Sequence, residues 1–224
     1  MFRKILIGAI LVSGIGYLLA MAADHTLLRW LLKPGTIVLM IALAATTRQT
    51  FGAYRYLIMA GLACSAVGDS FLLMEGASWF TYGVAVFMAA HLVYMAAFLT
   101  RGSVSPFRLL ALLPIAAYSV WLLSGLREGM VAGGNTGMWV PITVYVIVIS
   151  LMIWCAVFSG NRFAVIGAIL FFLSDSLLAW NKFVSPIEGA GYAVMITYYL
   201  AQFMIAMSLA KSPSRSEAFK ALAG

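Results

Sequence analysis

The chain has 224 residues, 64% of them hydrophobic and only 9% charged, with a mean hydropathy of +1.02. Soluble domains carry about 25% charged residues, so a water-soluble globular protein is excluded and a polytopic membrane protein is indicated. The net charge of +7 does not indicate a nucleic-acid partner, because the basic residues stand singly at the ends of apolar runs, as membrane topology requires.

The first apolar run, 5–23, follows Arg3 and Lys4. It resembles a secretory signal with Ala20-Met21-Ala22 as a small-residue site, but the expectation adopted is a retained first helix. Asp24, His25, Arg29 and Lys33 form a polar link, and Lys33-Pro34 is expected to open a second helix over 34–47, since proline suits a first turn. The third run, 54–74, carries Asp69. After the turn Glu75-Gly76-Ala77-Ser78, the fourth run, 79–99, carries His91 and Tyr94 on one helical face.

The fifth run is 107–124, followed by a glycine-rich loop at 125–138. The sixth, 139–158, carries Tyr145. The seventh, 163–182, has Asp175 near its middle, and the eighth, 190–210, carries Tyr198, Tyr199 and Gln202. Residues 211–224 are a basic tail. The expected architecture is all-α, one membrane domain of eight transmembrane helices. Residues 1–124 form a first half, 125–138 the break and 139–210 a second half. Asp69 and Asp175 lie 106 residues apart in matching contexts, Gly68-Asp69-Ser70 and Ser174-Asp175-Ser176. The same offset maps His91 onto Thr197, which suggests two parallel four-helix halves.

With the N-terminus inside, ten basic residues fall on the inner side: Arg3, Lys4, Arg48, Arg55, Arg101, Arg108, Arg162, Lys211, Arg215 and Lys220. Four fall outside: Arg29, Lys33, Arg127 and Lys182. Both termini are therefore expected in the cytoplasm, and a bacterial inner membrane is the expected location. At 1.5 Å per residue, Asp69 then lies about 8 Å and Asp175 about 12 Å below the outer end of its helix. His91 and Tyr198 fall in the same outer half, and Lys33 at its rim.

A carboxylate inside a span costs about 2.5–3.5 kcal/mol on insertion scales, so it needs a partner, a proton or a role in chemistry. Two of them in one apolar pocket cannot both ionise cheaply, which is the arrangement for acid/base hydrolysis without a covalent intermediate. Asp175, deeper by this estimate, is expected to be the more desolvated and to act as the acid, with Asp69 as the base; the reverse assignment stays open. One membrane histidine and two aspartates fall short of a zinc set, so no metal and no cofactor are expected. Cys64 and Cys155 sit in apolar runs as buried thiols. No GxSxG elbow, GxGxxG or phosphate loop is present. The rival class is a proton-coupled small-molecule transporter.

At these residues the chain resembles the lysoplasmalogenase family of YhhN-like integral membrane proteins. The matching features are Lys33-Pro34, Gly68-Asp69, His91-x-x-Tyr94 and Tyr145, with Tyr198-Tyr199-x-x-Gln202 in the last helix. The most specific block is Gly167-Ala168-x-x-Phe171-x-x-Ser174-Asp175-x-x-Leu178-Ala179, followed by Phe183. The resemblance implies eight transmembrane helices and hydrolysis of the vinyl ether bond of a lysophospholipid, a lysoplasmalogen. On that basis Asp69, Asp175 and His91 are the candidate catalytic residues, His91 orienting an aspartate. Tyr94, Tyr145, Ser174, Asn181, Tyr198, Tyr199 and Gln202 are candidate substrate contacts, and Lys33 is expected to meet the phosphate.

Overall fold

The computed structural model describes residues 1–47, 52–102 and 106–210. The expectations for Arg48 and for the basic tail, with Lys211, Arg215 and Lys220, lie outside the described residues. Among the described residues eight long helices follow one another: α1 (Phe2–Ala22), α2 (Thr26–Ala45), α3 (Ala53–Leu72), α4 (Ala77–Leu99), α5 (Leu112–Ala132), α6 (Trp139–Ser159), α7 (Arg162–Phe183) and α8 (Ala190–Met207). A single helical turn, Pro106–Leu109, precedes α5, and a short 3₁₀ turn, Thr136–Met138, precedes α6. Among the described residues there is no strand.

Six of the helices, α1, α2, α4, α6, α7 and α8, are long and apolar enough to cross a membrane. The other two, α3 with Arg55 and Asp69 and α5 with Arg127 and Glu128, are less apolar over their length and fall short of that measure. Large apolar side chains such as Leu11, Val12, Val120 and Val140 are more than half exposed. Such a surface is stable in hydrocarbon and unfavourable in water.

The first expectation to fail concerns Pro34. Helix α2 begins at Thr26, where His25 caps it by accepting the Leu28 N–H at 3.4 Å. Pro34 lies inside the helix, so the Trp30 carbonyl loses its helical donor. The second concerns 125–138. Helix α5 continues to Ala132 through Gly125 and Gly129. These glycines are points of close approach, not turn residues. A Cβ on Gly125 would lie 2.7 Å from the Trp180 ring, and one on Gly129 would meet the Phe183 carbonyl and sit 2.8 Å from Val184 Cα.

Small residues also set the tightest pairs, α3 on α4 and α7 on α8. A Cβ on Gly61 would run into the Tyr94 ring, and one on Gly167 would lie 2.9 Å from the Ala201 carbonyl. Gly61 and Gly167 each precede their helix's aspartate by eight residues. The correspondence does not reach the following helix: Thr197 bonds the Ala193 and Val194 carbonyls of its own helix, at 2.7 and 3.0 Å.

Short links at 23–25, 73–76, 133–138 and 184–189 gather at one end of the bundle. The opposite end is tied together. Tyr54 and Ser208 share a hydroxyl hydrogen bond of 2.7 Å, and Asn161 both caps α7 and donates to the Ser208 carbonyl at 2.8 Å. Arg101 stacks 3.8 Å over the Tyr54 ring. Between that end and the middle, Ile58, Leu62, Phe98, Ile149, Ile205 and Leu209 fill the interior with no exposed surface.

Candidate active site

Asp69 sits in the last turn of α3, 1% exposed. Its Oδ2 accepts a hydrogen bond from the Tyr198 hydroxyl of α8 at 2.7 Å. Its Oδ1 faces the Lys33 ammonium of α2 at 3.6 Å. A buried charge is tolerable when paired and hydrogen-bonded, and Asp69 has both kinds of partner. Lys33 itself is 7% exposed. The expectation that it stands at the outer rim fails for the reason given above: α2 starts seven residues earlier, which carries the side chain into the bundle.

Asp175 is held differently. Tyr145 of α6 donates its hydroxyl to Asp175 Oδ2 at 2.6 Å, and His91 Nε2 of α4 lies 3.3 Å from the same oxygen and 2.8 Å from the Tyr145 hydroxyl. All these contacts fall on Oδ2. His91 Nδ1 has no hydrogen-bond partner among the described residues. With Nε2 carrying the proton and donating to Asp175, Nδ1 is a bare lone pair in apolar surroundings.

The expected order of desolvation is reversed. The Asp175 side chain is 16% exposed and that of Asp69 2%. Distance along a helix measures depth in the membrane, whereas burial depends on which neighbours surround the residue, and Asp69 points into the packed junction of α2, α3 and α8.

Both carboxylates line one cavity of about 370 Å³. Small-molecule sites occupy roughly 300–1,000 Å³. The cavity occupies the half of the bundle next to the four short links. Its polar lining comes from Lys33, Asp69, Tyr145, Ser174, Asp175, Ser176, Asn181, Lys182 and Tyr198, with a tyrosine from α1, Tyr17. The remainder is apolar, including Phe87, Leu122, Ile142, Ile149 and Met195. Such a lining suits an amphiphile with few polar atoms and a long chain.

The other candidates stand behind this wall. His91, Tyr94, Tyr199 and Gln202 do not line the cavity. Tyr94 donates to Gln202 Oε1 at 2.7 Å, and the Tyr199 hydroxyl is 3.5 Å from the Lys33 carbonyl. Edge-to-face contacts join Phe171 to His91 at 4.6 Å and to Tyr198 at 5.4 Å, which fixes two of the three rings that touch the aspartates. Two of the lining candidates spend an oxygen on structure. Ser174 donates to the Val194 carbonyl at 2.9 Å, and Asn181 Oδ1 accepts the Ile187 N–H at 2.8 Å.

Sequence reasoning did not select Tyr17, Phe87 or Lys182 as cavity residues. Lys182 carried a usable signal: it lies seven residues, two helical turns, after Asp175 and therefore on the same face of α7. Among the described residues no group of three or more His, Cys, Asp or Glu side chains gathers to hold a metal ion.

No solved structure matches the chain. Among curated proteins it is similar to Lysoplasmalogenase TMEM86B of Rattus norvegicus, 37% identical over 166 residues, 72% of this chain and 65% of the relative. It is 33% identical to Lysoplasmalogenase TMEM86A of Homo sapiens over 175 residues, 73% of this chain and 69% of the relative. A Lysoplasmalogenase of Mycobacterium tuberculosis is 26% identical over 187 residues, covering 81% and 70% of the two chains. The chain spans about two thirds of the length of the rat relative. The model of the YhhN family matches residues 28–209, a segment that contains both aspartates, their tyrosine partners, Lys33 and His91, and the chain belongs to that family.

Proposed function

We propose that this protein hydrolyses the vinyl ether bond of a lysoplasmalogen, releasing a fatty aldehyde and a glycerophospho-ethanolamine or glycerophospho-choline. The observation that carries the reading is a buried aspartate from α3 and a part-buried one from α7, lining one largely apolar cavity. The relatives' shared name, lysoplasmalogenase, supports the substrate class.

The chemistry requires a proton on the β-carbon of the vinyl ether, which leaves an oxocarbenium ion. Water then adds to the α-carbon, and the hemiacetal collapses to aldehyde and alcohol, so one water is consumed. Asp175 acts as the acid. Among the described residues no lysine or arginine pairs with it, and its Oδ1 is left for the proton because its contacts, from Tyr145 and the neutral His91, fall on Oδ2. Asp69, paired with Lys33, starts as a carboxylate, stabilises the cation and takes a proton from water; as the hemiacetal collapses it passes that proton to the departing glycerol oxygen, while Asp175 regains its own from the hemiacetal hydroxyl. Tyr145 and His91 orient Asp175, and Tyr198 orients Asp69. Tyr94, Tyr199 and Gln202 support these groups from behind the wall.

All eight helices cross the membrane in this reading. Both termini lie in the cytoplasm of a bacterial inner membrane, and the cavity lies in the outer leaflet. The halves descend from a parallel repeat, with Gly61 and Asp69 matching Gly167 and Asp175.

Asp69→Asn and Asp175→Asn are each expected to abolish aldehyde release from alkenyl-glycerophosphoethanolamine in purified, folded protein. Near-normal release from both variants would sink the mechanism. A proton-coupled carrier would need a polar route through the other half of the bundle, where the described interior is apolar and packed. Solute flux in proteoliposomes without aldehyde release would favour that class instead.

A further inference from the structure

The substrate named above is a phosphodiester anion, and the site needs a cation for it. Among the described residues four Lys and Arg side chains stand at the cavity end of the bundle. Arg29 is paired with Asp24 at 3.0 Å. Lys33 is buried against Asp69. Arg127 lies over the Trp139 ring, 5.9 Å from its centroid, and does not line the cavity. Lys182 lines it, is exposed, and has no carboxylate within 4.0 Å among the ion pairs of the described residues.

Its position is fixed by aromatic rings. The Lys182 ammonium sits 4.3 Å from the centroid of Phe80, itself a cavity residue, and 6.0 Å from that of Phe183. The two rings meet edge to face at 5.9 Å. A cation over a ring face is held without being neutralised, so the charge remains available to an anion. Beside it, Asn181 uses Oδ1 to accept the Ile187 N–H, which leaves its amide N–H₂ to donate. Both residues are on α7, whose face carries Asp175 two turns further in, about 10 Å away at 1.5 Å per residue. In a lysoplasmalogen the phosphate and the vinyl ether are separated by the glycerol unit.

We infer that Lys182, assisted by Asn181, binds the phosphate of the lipid headgroup at the cavity mouth and so sets which lipids present their vinyl ether to Asp175. The inference rests on the hydrolase reading, but its test does not need turnover. The probes are a non-hydrolysable 1-O-alkyl-glycerophosphoethanolamine and the phosphate-free 1-O-alkylglycerol, titrated into detergent-solubilised full-length protein and followed by tryptophan fluorescence. Lys182→Gln is expected to weaken the first about tenfold, the scale of a charge-assisted hydrogen bond, and to leave the second unchanged; Lys182→Arg is expected to retain most of the binding. Equal Kd values for Lys182→Gln and the parent protein on the phosphate-bearing probe would overturn it. So would a parallel loss on both probes, and so would failure of the parent protein to prefer the phosphate-bearing one. Absence of aldehyde release from the parent protein, with the binding pattern intact, would count against the hydrolase reading alone.

Discussion

Removing Lys33 tests how the bundle tolerates a carboxylate at its centre. The Lys33 ammonium and Asp69 Oδ1 are 3.6 Å apart, with side chains 8% and 2% exposed. At this burial, deleting one member of a pair leaves an uncompensated charge and costs about 3–5 kcal/mol. Lys33→Met keeps the stem's volume and removes only the charge. For a chain of this length each kcal/mol moves the midpoint by about 2–4 °C, so a fall of about 6–20 °C is expected in the thermal unfolding of the detergent-solubilised protein. Lys33→Met with Asp69→Leu removes both charges and is expected to recover most of that loss. The recovery stops short because the Tyr198 hydroxyl, which donates to Asp69 at 2.7 Å, is left without its acceptor, at a cost of about 1–3 kcal/mol. Adding Tyr198→Phe is expected to remove this remainder. A loss below about 1 kcal/mol for Lys33→Met alone, or a double variant no more stable than the single one, would show that the two side chains do not depend on each other as the geometry requires.

Tyr145→Phe deletes the 2.6 Å donor to Asp175 and the hydroxyl that meets His91. Hydrogen bonds to charged groups are worth about 1.5–3 kcal/mol, so kcat for aldehyde release is expected to fall about 10- to 100-fold with KM little changed. Equal losses in binding and turnover would argue for a packing role instead. Gly129→Ala places a methyl against the Phe183 carbonyl and Val184 Cα, both backbone and unable to rotate away. It is expected to lower stability by about 1–3 kcal/mol without changing the rate per folded molecule, as unfolding midpoints and active-site-normalised turnover will show.

The eight long helices of the described residues were legible as long apolar runs, and that signal is local. The convergence of Asp69, Asp175, Lys33 and Tyr198 was legible too, since a helix's direction and rise give depth without any tertiary information. What could not be read depends on partners distant in sequence. Gly125 and Gly129 have the same composition signal as a loop, and only Trp180 and Phe183, some fifty residues on, turn that signal into close helix packing. Pro34 reads as a helix start until His25 is seen to cap the chain upstream. Depth also says nothing about lateral position. Asp69, nearer its helix end, is the more enclosed aspartate because α2 and α8 close over it, and Asp175 keeps an open oxygen because the cavity lies beside α7. The same separation governs the lysines. Charge counting assigns Lys33 and Lys182 one role, orientation in the membrane, yet one is buried against a carboxylate and the other stands at the cavity mouth with no carboxylate within ion-pair distance among the described residues. An ammonium already matched to Asp69 has little capacity left for a phosphate, which is why the phosphate contact proposed above falls to Lys182 and not to Lys33.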